Sequence, residues 1–120
     1  MQVRSLLPVL LLSAAVSVIH AEPKAVTVKG YVIDSACTFT KNLKKPISAE
    51  CAQACAKAGS PLVILADDGA IYWPTTDAVP ASSQNGKLLP FAAQRVTVSG
   101  KLYERGGSKA LLIEKIEPEK

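Results

Sequence analysis

From residue 22 onward, apolar and polar positions alternate over short runs, the period of half-buried β-strands. Ala25–Asp34 (AVTVKGYVID) is β-branched and alternating and reads as a strand, with Gly30 marking a bulge or tight bend inside it. Ser35–Pro46 breaks the pattern and is basic, with Lys41, Lys44 and Lys45, so it reads as irregular. The period then changes. Ser48 is placed as an N-cap, and Ala49–Ala58 is rich in helix formers, with Glu50 at the positive end and Lys57 at the negative end. Gly59 and Pro61 supply the stop. Pro61–Ala66 and Ala70–Trp73 flank Asp67-Asp68-Gly69, a hairpin signal because glycine tolerates positive φ. Pro74–Pro90 carries Pro80, Asn85, Gly86 and Pro90 and reads as a loop, followed by a short helical turn over Leu88–Gln94. Arg95–Glu104 and Lys109–Ile116 are two further strands joined through Arg105-Gly106-Gly107-Ser108.

These elements predict a mainly β protein with one helix: five strands, with the helix between the first and second. So small a twisted antiparallel sheet needs closure or cover for its edges. The economical arrangement is a partly open five-stranded barrel of the OB type, with Gly30 and Gly100 where its long strands bend. The helix is misplaced for a standard OB-fold, which carries it between the third and fourth strands.

Composition changes the picture mainly at the N-terminus. Arg4 precedes a run, Leu6–Ile19, that is apolar apart from Pro8, Ser13 and Ser17 and is followed by His20-Ala21. This is the layout of a secretory signal peptide cleaved after Ala21, and it falls short of the about 20 apolar residues a membrane span needs. Residues 22–120 then form a single domain with 13 basic and 10 acidic residues, net +3. That balance excludes a disordered chain or a fibre, and the length excludes a multidomain enzyme. The mature protein is expected to be periplasmic or secreted and monomeric. It is expected to have no nucleic-acid partner and, once the leader is removed, no membrane association.

Cleavage would also remove His20, the only histidine. Ser-His-Asp and Cys-His catalysis are thereby excluded in their usual forms. The sequence contains no glycine-rich phosphate loop, no GxSxG elbow and no HExxH. No catalytic residue is assigned, and the expectation is a non-enzymatic binding or accessory domain.

The chemistry that remains lies in Cys37, Cys51 and Cys55. The last two are four residues apart and share one helical face. Three is an odd number in an oxidising compartment. One reading is a structural disulfide from Cys37 to Cys51 or Cys55, whose loop would add about 3 kcal/mol; helical geometry disfavours a Cys51–Cys55 bridge. A second is a soft-metal site, three thiolates holding copper or zinc with Asp34 as a fourth ligand. A third is a thiol redox centre with one bridge and one exchanging thiol, although CxxC is absent. No other cofactor is expected.

Three weaker candidates remain. Lys41, Lys44 and Lys45 are a cluster that could touch anionic lipid or nucleic acid, but a solvated loop is the expected reading at a net charge of only +3. Tyr31, Tyr72, Trp73 and Tyr103 lie on strands, where packing is the default, although OB barrels also bind single strands through such residues. Asp67 and Asp68, beside Gly69, are turn residues.

The blocks Gly30-Tyr-Val-Ile-Asp34-Ser-Ala-Cys37, Glu50-Cys51-Ala-Gln-Ala-Cys55-Ala-Lys-Ala-Gly59-Ser60-Pro61, Asp68-Gly69-Ala-Ile-Tyr72 and Val96-Thr-Val-Ser-Gly100-Lys resemble a family of small exported bacterial proteins of unknown function. The resemblance spans nearly all of residues 22–120 and implies an exported OB-like barrel with a cysteine-bearing helix. Many of those relatives have a Gly and a His after the first Cys, where this chain has Thr38-Phe39-Thr40.

Overall fold

The computed structural model describes residues 22–120. The signal-peptide reading of residues 1–21, with His20, falls outside them. Strand β1 runs Lys24–Asp34, helix α1 Ser35–Thr40, α2 Ala49–Lys57, β2 Leu62–Ala66 and β3 Ile71–Thr75. Helix α3 (Asn85–Leu88) continues into a 3-10 turn, Leu89–Phe91, before β4 (Arg95–Arg105) and β5 (Ser108–Pro118).

The five strands close into a barrel in the order β1-β2-β3-β5-β4, with β4 returning to β1. All neighbours are antiparallel except β3 and β5. This is an OB-like barrel, and it is closed where the sequence suggested one partly open. Closure follows from the way β1 is shared. Its first part, from Lys24, pairs with β4, its last part pairs with β2, and Gly30 and Tyr31 pair on both sides. A side chain at Gly30 would run into the Leu65 carbonyl oxygen. A side chain at Gly100 would likewise run into the Leu112 carbonyl oxygen, beside a register shift at Ser99/Gly100. Both glycines therefore sit where the backbones crowd, as the mid-strand positions indicated.

Alternation along the strands sorts side chains into two apolar clusters. Val28, Val32, Leu62, Ile64, Val96, Val98, Leu111 and Ile113 fill the barrel. On the opposite face of β1, β2 and β3, Ile33, Val63 and Leu65 form a second cluster with Ile71 and Trp73. Cys37 of α1 and Leu43 of the following loop pack onto it. The β1–β2 connection thus folds back over the outer face of the first three strands.

Two helices are present that the sequence reading did not assign. Ser35–Thr40, read as irregular, is helical because Asp34 caps it: the Asp34 carboxylate accepts the Cys37 N–H at 3.0 Å. As the last residue of a strand pattern, Asp34 gave no separate cap signal. The α3 segment lies between β3 and β4, the place a standard OB-fold reserves for its helix, and Leu88 from it is fully buried in the barrel. The chain therefore keeps the usual capping helix in shortened form and adds α1 and α2 between β1 and β2. The expected helix at α2 forms as read, with Ser48 accepting the Cys51 N–H at 3.1 Å and Gly59 at φ +104 ending it.

Candidate functional site

The thiols are carried by the α1–α2 segment at the end of the barrel where β1 finishes. Cys37 lies in the first turn of α1, held there by the Asp34 cap. Cys51 and Cys55 lie one turn apart on α2, which is seated through buried Ala52 and Ala56. Asn85 fixes α2 and β2 together. Its amide nitrogen donates to the Ala56 carbonyl at 3.3 Å and the Ser60 carbonyl at 2.9 Å, and its oxygen accepts the Leu62 N–H at 2.9 Å. The Asn85-Gly86 pair read only as a turn signal, and nothing local marked Asn85 as this clamp.

Asp34 is only 3% exposed. Its carboxylate beside the Cys37 thiol, reinforced by burial, pushes that thiol from 9.0 up to about 11, and Lys41 offsets only part of the rise. Burial, and then the Asp34 charge, also push Cys55 up. The Asp34 charge acts on both Cys37 and Cys55. These thiols stay protonated at neutral pH and are correspondingly weak nucleophiles.

All three cysteines are free, and no pair of them stands at disulfide distance. Among the described residues, no group of three His, Cys, Asp or Glu side chains is placed to hold a metal ion. Asp34, the fourth-ligand candidate, is committed to the α1 cap.

The other candidates are dispersed. Tyr72 packs against the barrel interior, Trp73 belongs to the outer cluster and Tyr103 is 38% exposed on β4. They form no common stacking platform. Asp68 is the turn residue expected, its carboxylate accepting the Ala70 N–H at 2.9 Å. Asp67 does more than turn the chain. Arg95 donates to its two oxygens at 2.7 and 3.0 Å and to Glu119 at 2.6 Å, and its guanidinium lies 5.0 Å from the centre of the Tyr31 ring. A cleft of about 310 Å³ beside this network is lined by Tyr31, Lys44, Leu65 and the Asp67–Gly69 turn. Asp67 and Arg95 are 28 residues apart, and no local pattern in the sequence pointed to their pairing.

Comparison with protein-family models, with curated proteins and with solved structures finds no match to this chain.

Proposed function

We propose that the protein is an exported, non-enzymatic binding or accessory domain in which the cysteines serve the architecture. In an oxidising compartment, Cys37 of α1 joins Cys51 or Cys55 of α2 and locks the helical cap onto the barrel. Two thiols lose two protons and two electrons to a protein disulfide oxidant of that compartment, leaving one thiol over. The observation that carries this reading is that α1 and α2 both pack against β1, so that thiols distant in sequence lie on neighbouring elements at one end of the barrel. In the reduced form described here closure still requires the cap to shift.

The raised Cys37 and Cys55 thiols support a structural role over a catalytic one, because a redox centre works through thiolate. The enclosed loop would add about 3 kcal/mol to a small barrel with a thin core.

The test is to alkylate the protein, recovered from the exporting compartment without reductant, and to weigh it before and after reduction. One alkylated thiol at first, two more after reduction and a peptide map placing Cys37 in the bridge are expected. Three thiols alkylated at the outset would overturn the proposal, as would three thiols carrying stoichiometric copper or zinc.

A further inference from the structure

The segment that follows α1 combines exposed apolar side chains with lysines unpaired among the described residues. Phe39 and Ile47 are 59% and 63% exposed, large apolar side chains left in solvent at the two ends of a nine-residue stretch, FTKNLKKPI. Between them Lys41, Lys44 and Lys45 are all exposed. Leu43 points the other way and packs on the outer cluster, so the stretch is pinned at its middle while its apolar ends and its lysines face outward. Asn42, at φ 50, takes the left-handed conformation beside that anchor. Phe39 also stacks on Trp73, with ring centroids 6.0 Å apart, which holds its ring in place at the surface.

The charges here are uncommitted. Lys101, Lys109 and Lys115 on the β4–β5 hairpin each pair with a glutamate, whereas among the described residues none of Lys41, Lys44 and Lys45 is in an ion pair. The acidic groups nearest in the chain are Asp34, which is buried, and Glu50, exposed in the first turn of α2. Lys44 also borders the cleft that contains Asp67 and Asp68, and Asp67 is held by Arg95.

We propose that Phe39–Ile47 is a peripheral docking surface for an anionic phospholipid bilayer. Lys41, Lys44 and Lys45 meet the headgroup phosphates, and Phe39 and Ile47 enter the boundary between headgroups and acyl chains. A polyanion would be served by the lysines alone and would give Ile47 nothing to bury against. A lipid surface takes both kinds of side chain at once, and this decides between the two. The proposal revises the expectation of no membrane association and stands independently of the cysteine chemistry.

The test uses the chain from Glu22 onward, which holds every strand and both apolar clusters of the described residues, in co-sedimentation with phosphatidylcholine vesicles with and without phosphatidylglycerol. Binding is expected only to the phosphatidylglycerol vesicles and should weaken as salt rises. The triple variant K41Q/K44Q/K45Q should bind roughly a hundredfold more weakly, while K101Q/K109Q/K115Q should bind as the parent does. I47S should weaken binding by about tenfold without unfolding the barrel, which far-UV circular dichroism checks, because Ile47 lies outside both apolar clusters. Equal binding to both vesicle types, or no binding to either, would overturn the proposal. So would binding to heparin or single-stranded DNA as tight as binding to vesicles and indifferent to I47S, an outcome that would point to a polyanion.

Discussion

Asp34 combines three roles in one buried carboxylate. It ends β1, caps α1 through the Cys37 N–H and holds the Cys37 thiol in its protonated form. The sign of the last effect follows from its direction. A thiol raised from 9.0 to about 11 binds its proton more tightly in the folded protein, so its contribution to stability is fully present below pH 9 and is lost as pH rises through about 11. Asp34→Asn retains a capping group and removes the charge, and it should move Cys37 back toward 9.0. Iodoacetamide labelling followed by peptide mass against pH would show the midpoint falling; an unmoved midpoint would mean that Asp34 is not the cause. Gly30→Ala tests the other crowded residue. A methyl there meets the Leu65 carbonyl, and a loss of about 1–3 kcal/mol in urea unfolding is expected.

At the scale of elements, Asn85 makes the most connected join. Truncation to Ala removes its bonds to Ala56, Ser60 and Leu62 together and should cost about 2–3 kcal/mol, measurable as a lower urea midpoint. Ser48→Ala removes only the α2 cap and should cost about 1 kcal/mol. The two positions show what was legible. Ser48 could be read because capping acts within four residues, and the strands could be read because alternation is a local property of the chain. The clamp at Asn85 joins residues 23 to 29 positions away, and α1 depends on an aspartate that also terminates a strand. The same limit applied to the site. The cysteines, and the helical face shared by Cys51 and Cys55, were visible, but the exposure of Phe39 and Ile47 depends on which way Leu43 turns.

Across the whole molecule, Arg95 ties the start of β4 to the β2–β3 turn, to the C-terminal segment and to the ring of Tyr31 on β1. Arg95 holds the Asp67 carboxylate below its usual 3.8. Asp67 therefore stabilises the fold above that value and ceases to do so as pH falls through its lowered folded-state value. Asp67→Asn should lower the melting temperature slightly at neutral pH and flatten its decline in acid; an unchanged acid limb would mean that the pair contributes nothing to the fold. The barrel itself is unevenly closed. Strand β3 pairs with β2 at two positions and with β5 at four, and Pro74 within it has no N–H to give, whereas β4 and β5 pair at ten positions, broken by the register shift at Ser99/Gly100. In kinetic terms, β3 is therefore expected to be the stave that leaves first. Its amides should exchange with deuterium through openings far cheaper than global unfolding, while those of β4 should wait for the entire barrel to come apart. Because Trp73 and its stacked partner Phe39 ride on that stave and the cap beside it, each opening of β3 would also loosen the surface proposed to meet the bilayer.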